Sequence, residues 1–254
     1  MLSSLPGIER LRLSGRTPAL PDGTRIYAIG DIHGRLDLLE DLLAQTSADT
    51  RQRPVDRPLH VFLGDYIDRG PSSRETIDRL IEHGQTSESI FLKGNHEQVA
   101  IRCLTDPNLF EQWMRLGGLQ TLVSFGIAPN AQQPRAIAEL QAAFHAALSP
   151  SHLRFFRELR PSFDCGDFFF AHAGVRPGID LSNQKESDLL WIRQEFLASA
   201  EDFGKVVVHG HTPARAVQVE SNRIDIDTGA FATGCLTCLV IEGCSLSLID
   251  TGQA

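Results

Sequence analysis

Five short polar clusters, each directly after an apolar run, constrain this chain more than any other feature. In order they are Gly30-Asp31-Ile32-His33-Gly34, Gly64-Asp65-Tyr66-Ile67-Asp68-Arg69-Gly70, Gly94-Asn95-His96-Glu97, Ala171-His172-Ala173-Gly174 and His209-Gly210-His211-Thr212. The runs before them read as strands: Arg25–Gly30, Leu59–Leu63, Ile90–Leu92, Phe168–Ala171 and Lys205–Val208. Leu38, Leu39, Leu42 and Leu43 mark one face of a helix over Leu36–Gln45, and a second helix is expected over Ser73–His83. This βαβαβ start predicts an α/β fold with parallel strands. In such a fold, loops at the carboxyl ends of the strands converge on one crevice, and all five clusters hold that position.

The rest of the chain fits one domain over residues 23–254, behind a lead (1–22) of uncertain order. Residues 98–163 read as a helical insertion, with Ala/Leu-rich segments such as Arg135–Leu148. Strand signals return at Phe168–Ala171, Lys205–Val208, Arg223–Ile226, Cys235–Ile241 and Ser245–Ile249, and the Gly-containing turns between these later short strands suggest antiparallel additions. Arg51, Arg53 and Arg57 read as a solvated turn. The formal charge of −8, from 24 basic and 32 acidic residues, argues against nucleic acid or an anionic membrane as the main partner. No stretch reaches 18 uninterrupted apolar residues, so no membrane span is expected. Five cysteines, an odd number without a secretory signal, imply reduced thiols and a cytoplasmic setting. Cys235-x-x-Cys238 has no second pair and reads as structural rather than zinc-binding.

The converging side chains are two carboxylates, an amide and several imidazoles. Oxygen and nitrogen donors without thiolates suit divalent ions such as Mn²⁺, Fe²⁺ or Zn²⁺. They are too many for one tetrahedral ion and suit two ions about 3.5–4 Å apart, the clamp used for in-line displacement at phosphorus. Asp65, midway in the set, is the natural bridge. Two ions would lower the pKa of a bridging water, so that hydroxide can attack phosphorus near neutral pH.

These motifs resemble the signatures of the phosphoprotein phosphatase family, within the calcineurin-like metallophosphoesterases, and most of all its compact bacterial and bacteriophage branch. The resemblance runs from about Tyr27 to Ile241. It includes Gly94-Asn95-His96-Glu97-Gln98, Leu190-Trp191-Ile192-Arg193 and Ile226-Asp227-Thr228-Gly229-Ala230. It implies a central β-sandwich of mixed sheets flanked by helices. It also implies that Asp31, His33 and Asp65 hold a first metal, and Asp65, Asn95, His172 and His211 a second, with manganese expected and iron or zinc as substitutes. His96 matches the general acid, oriented by Asp68, while Arg69 and Arg193 match phosphate-binding arginines. The expected activity is hydrolysis of phosphoserine or phosphothreonine, with phosphotyrosine as a further candidate, in a phosphoprotein or phosphopeptide. The alternative is a dinucleoside polyphosphate or other small phosphate cleaved by the same site. A nuclease-type ending, G-H-x-H, is one histidine short here.

Other residues are ambiguous at this stage. His209 fits a contact with substrate or packing at a strand end. Glu97 fits a helix N-terminal carboxylate, and Asp227 a rim loop or a turn. Trp113 and Trp191 read as core aromatics rather than substrate platforms. His60, His83, His145 and His152 have no evident chemical partner.

Overall fold

The computed structural model describes residues 3–5, 7, 11, 15–127 and 137–252. Its strands are β1 (Ser3–Ser4), β2 (Thr24–Ile29), β3 (Arg57–Phe62), β4 (Ser89–Phe91), β5 (Ser162–Cys165), β6 (Phe168–Ala171), β7 (Val206–His209), β8 (Gln218–Val219), β9 (Arg223–Asp225), β10 (Thr237–Glu242) and β11 (Ser245–Asp250). They form two sheets, ordered β1-β11-β10-β2-β3-β4 and β5-β6-β7-β9-β8. Strands β2, β3 and β4 run parallel. Helices α1 (Leu36–Gln52) and α2 (Ser73–Thr86) supply the long crossovers that parallel pairing requires.

Side-chain alternation along β2 explains the layering. Ile26 and Ala28 enter a core shared with Leu59 and Val61 of β3 and with Phe168, Phe170, Val206 and Val208 of the second sheet. Tyr27 and Ile29 face the other way, onto Leu39 and Leu42 of α1 and Ile77 and Leu80 of α2. The period of two thus makes one face of the sheet a sandwich core and the other a helix-packing face. The second sheet repeats the logic: Phe169, Ala171 and Val207 pack outward against Leu189, Ile192 and Phe196.

Several expectations need correction. Strands β6, β7 and β9 are parallel rather than antiparallel additions. The link between β6 and β7 carries helical turns at Glu186–Trp191 and Gln194–Leu197, so it is long enough to cross over. The antiparallel members are β1, β5, β8, β10 and β11. Helix α1 continues past Gln45 because buried polar groups extend its inner face. Asp49 accepts from the Tyr27 hydroxyl at 2.6 Å, and the Thr46 hydroxyl lies 3.2 Å from His60 Nε2. Arg53 and Arg57 keep contact with solvent, as expected, but are also paired: Arg53 with Asp49 and Glu242, and Arg57 with Glu88. In the lead, Leu5, Leu11 and Leu20 are buried in the inter-sheet core.

The helical stretch comprises α3 (Asn95–Cys103), α4 (Pro107–Trp113), a π-helical turn (Met114–Gly118), α5 (Leu119–Ser124), α6 (Ile137–Ala147) and α7 (Pro150–Glu158). Arg135 and Ala136, at the start of the expected Arg135–Leu148 segment, lie outside the described residues. Gly117 breaks the π turn with φ of 118°, and its carbonyl accepts the backbone N–H of Arg69 at 3.1 Å. The stretch is thereby pinned to the second polar cluster. Among the described residues no helix is long and apolar enough to cross a membrane. The five cysteines are free, with Cys238 buried in β10 and Cys235 just before that strand.

Candidate active site

The five clusters meet where the strands end. Backbone strain marks the meeting place. Among the described residues, the non-glycine positions with positive φ are His33, Asp65, Asp68, Arg69 and His211, every one of them in these clusters. Each such residue costs about 1–3 kcal/mol and persists only where its surroundings hold it. Glycine allows the close approach. A side chain at Gly94 would collide with the Asp65 carboxylate, and one at Gly210 with that of Asp31.

Asp65 is the hub. Its Oδ2 lies 3.4 Å from His33 Nε2 and 3.8 Å from His96 Nε2, while Oδ1 lies 3.4 Å from His172 Nε2. Two buried three-residue groups able to hold a metal ion follow, and both contain Asp65: one with His33 and His96, the other with His172 and His211. Asn95 joins the second group. Its Oδ1 is 2.9 Å from His172 Nε2 and 2.8 Å from His211 Nδ1. Asp31 joins through its other oxygen, Oδ2, which accepts the backbone N–H of His211 at 3.1 Å.

The charge states suit a cation. Burial lowers His33 to about 3 and His211 to about 2, and it lowers His172 as well, so these imidazoles are neutral at pH 7. His33 Nδ1 donates to the Ile67 carbonyl at 2.8 Å, and His172 Nδ1 to the Leu63 carbonyl at 3.0 Å. That fixes the tautomers and leaves both Nε2 lone pairs facing carboxylate and amide oxygens. Acceptors converge on acceptors. Asp31 Oδ1 and His211 Nε2 are buried without any hydrogen-bond partner. Burial, then repulsion from Asp227 and Asp65, pushes the Asp31 carboxyl well above its usual range. Burial also acts to raise Asp65, but the surrounding imidazoles outweigh it and hold that carboxyl below its usual range. Neutral imidazoles, an amide oxygen and two carboxylates fit divalent ions.

His96 differs from the other imidazoles. Its Nδ1 donates to Asp68 Oδ2 at 2.7 Å, and its Nε2 turns toward the ligand groups. Burial opposes charge on His96, but Asp65 and the Asp68 hydrogen bond outweigh it, so its pKa is raised. This imidazole can hold a proton near neutral pH and present it to a reacting group. Asp68 is fully buried and saturated. Besides His96, it accepts from Trp113 Nε1 at 2.8 Å and from the Thr121 hydroxyl at 2.6 Å. Arg69 donates to His33 Nε2 at 2.9 Å and lies 3.1 Å from His96 Nε2, and its guanidinium lies 4.8 Å above the Phe231 ring. Arg193 is exposed, reaches Thr212 at 3.4 Å and depresses the pKa values of His172 and His211. All ten residues named from the sequence for this site therefore gather around it.

The ambiguous residues also resolve. Glu97, in the first turn of α3, accepts the backbone N–H groups of Gly94, Asp65, Tyr66 and Ile67. It ties the loop carrying Asp65 to the helix carrying Asn95 and His96. His209 is buried against Phe196, with ring centroids 5.0 Å apart, and packs at the end of β7. Asp227 is buried beside Asp31 and accepts the Gly229 N–H at 2.9 Å. His152 bonds Asp78 at 2.7 Å and caps α7. Trp113 is a core aromatic, but one that also donates to Asp68. Trp191 is not a core aromatic: 41 % of it is exposed beside His211. Thr121 and Phe231 carried no sequence signal. The only hint at Phe231 was its place directly after Thr228-Gly229-Ala230.

Residues 24–232 match the family model for calcineurin-like phosphoesterases. The chain is 26% identical over 232 residues to an asymmetrical bis(5'-nucleosyl)-tetraphosphatase of Halalkalibacterium halodurans, covering 83% of this chain and 87% of the relative. It is 30% identical over 223 residues to serine/threonine-protein phosphatase 2 of Escherichia coli K12, covering 84% and 90%. A crystal structure provisionally assigned as a diadenosine tetraphosphatase shares the fold, with a TM-score of 0.58 at 19% identity over 98% of this chain and 96% of that one.

Proposed function

This chain belongs to the calcineurin-like phosphoesterase family, and from that premise we propose that it hydrolyses a phosphoric anhydride in dinucleoside polyphosphates at a two-metal site. One observation carries the two-metal part: the two oxygens of Asp65 face two separate ligand groups. Asp31, His33 and Asp65 would hold one ion, and Asp65, Asn95, His172 and His211 the other. Bound there, divalent ions supply Lewis-acid chemistry, acidifying water and neutralising phosphoryl oxygens.

The chain's own residues supply the rest. Arg69 and Arg193 approach from two sides and offer planar donors suited to phosphate oxygens. His96 donates a proton to the departing oxygen, and Asp68 keeps that imidazole turned and charged. Glu97 and the left-handed residues hold these groups in register before substrate arrives.

Most of the similar curated proteins carry the tetraphosphatase name, which favours the dinucleotide over the phosphoprotein that the motifs alone put first. The phosphoprotein reading keeps specific support. The 30% relatives are named serine/threonine phosphatases, and a well-built proton donor matters most for an alkoxide leaving group. A panel with Mn²⁺ supplied decides between them: diadenosine tetraphosphate, a phosphoserine peptide and a phosphodiester, with products separated by chromatography. The expected result is the highest kcat/KM on the dinucleotide. Higher kcat/KM on the phosphopeptide overturns the substrate assignment and leaves the two-metal site standing.

A further inference from the structure

Two aromatic rings are partly exposed to solvent at this site. Phe231 is 37 % exposed and Trp191 41 % exposed, and they are the aromatic members of the exposed large hydrophobic residues described. Phe231 meets His33 edge-on, with centroids 5.5 Å apart and planes at 84°. Trp191 meets His211 edge-on at 6.4 Å and 80°. His33 and His211 belong to the two different ligand groups around Asp65. Each ring therefore adjoins a different one of the two ligand groups.

Neither ring is loose. The Arg69 guanidinium lies over Phe231. Trp191 Nε1 donates to Gln98 Oε1 at 2.8 Å, on the same helix as Asn95 and His96. An arginine accompanies each ring: Arg69 lies over Phe231, and Arg193, two residues after Trp191 in sequence, acts on the same His211 that Trp191 meets. An oriented aromatic face next to a guanidinium suits a nucleotide, with the base on the ring and the phosphate on the arginine.

We propose that Phe231 and Trp191 are the two base-stacking platforms of the site, and that they select polyphosphates carrying a nucleobase at each end. This rests on the dinucleotide reading above and adds the residues that enforce it. A phosphoserine peptide would use neither ring in this way. A mononucleotide would use one.

The test uses the full chain with Mn²⁺ and a methylene-bridged diadenosine tetraphosphate that cannot be hydrolysed. Inorganic tripolyphosphate is the base-free control, and binding is measured by calorimetry. In Phe231→Leu and Trp191→Leu the ratio of dinucleotide to tripolyphosphate affinity should fall about ten-fold each, the scale of one lost base stack. Phe231→Tyr and Trp191→Phe, which keep a ring, should restore it. The dinucleotide should also quench tryptophan emission in the wild type, and the Trp191→Leu protein should lose that quenching, because Trp113 is buried. An unchanged affinity ratio in both leucine variants overturns the platforms while leaving the substrate reading intact. Turnover of phosphopeptide but not of diadenosine tetraphosphate overturns the substrate reading, and the affinity ratio still decides the platforms.

Discussion

Two groups of buried histidines differ in what surrounds them. Beyond the carboxyl ends of β2 and β4 in one sheet and of β6 and β7 in the other, His33, His96, His172 and His211 ring the Asp65 carboxylate. On the helix-facing side, His60 of β3 and His83 of α2 meet edge-on, with centroids 4.7 Å apart. Tyr27 stacks on His60 at 5.1 Å, and Phe62 flanks both histidines. Burial neutralises imidazoles in both places, to about 3 for His33 and for His60. The first group has carboxylates, left-handed backbone and converging lone pairs. The second has aromatic rings and ordinary strand and helix geometry. Burial and a depressed pKa do not make a histidine functional. The acidic partner and the strained backbone do.

The largest expected effect comes from removing that partner. Asp65→Asn replaces a carboxylate facing both ligand groups with an amide. Loss of an outer-shell partner alone costs about 10–100-fold in metal affinity. Loss of the shared ligand should exceed that, and metal analysis after desalting should find no tightly held pair. His60→Gln should leave metal content unchanged. Retention of two tight ions by Asp65→Asn would break the distinction between the two groups.

The ligands were legible because the chemistry forced a local pattern. A strand end, a glycine and a short polar run appear together in Gly30-Asp31 and Gly94-Asn95-His96. The supports of Asp68 were not legible, because they act across 45 and 53 residues of chain. Trp113 looks like any apolar helical residue until its indole N–H is seen aimed at a buried carboxylate. Likewise, sequence periodicity places Trp191 inside, since nothing local says that a large ring stays in water. The parallel strands of the second sheet are hidden in the sequence because short strands next to glycines look like hairpin arms. The helical turns at Glu186–Trp191 and Gln194–Leu197 make the link between β6 and β7 long enough for a parallel pair.

A middle-sized effect sharpens the same contrast. Trp113→Phe keeps the ring and removes one of the three side-chain donors on Asp68. A hydrogen bond to a charged group is worth about 1.5–3 kcal/mol, so kcat should fall about ten-fold or more. With one donor fewer, the Asp68 charge bears more heavily on His96, and the pH limb belonging to that imidazole should move up. A structural role for Trp113 would lower thermal stability and leave the limb in place.

The smallest effect tests the aromatic pair. His60 Nε2 bonds the Thr46 hydroxyl, while His60 Nδ1 and His83 Nε2 are buried without a partner. Burial lowers His60 to about 3 and His83 to about 4, both below the free value of 6.5. The folded chain therefore binds fewer protons here than the unfolded chain between pH 6.5 and about 3. Stability is full above pH 6.5 and declines as pH falls through that window. His60 alone should account for about 1–2 kcal/mol between pH 6.5 and 5. Part of any observed fall in Tm will come from the metal ligands, whose imidazoles are depressed too. His60→Gln separates the contributions, because Gln cannot titrate and its amide can donate to Thr46. In metal-loaded protein, where cations hold the site imidazoles unprotonated, the decline in Tm from pH 7 to 5 should be shallower in His60→Gln than in wild type. Equal slopes in the two proteins would mean that the aromatic pair is inert to pH and that the acid sensitivity of the fold resides wholly at the metal site.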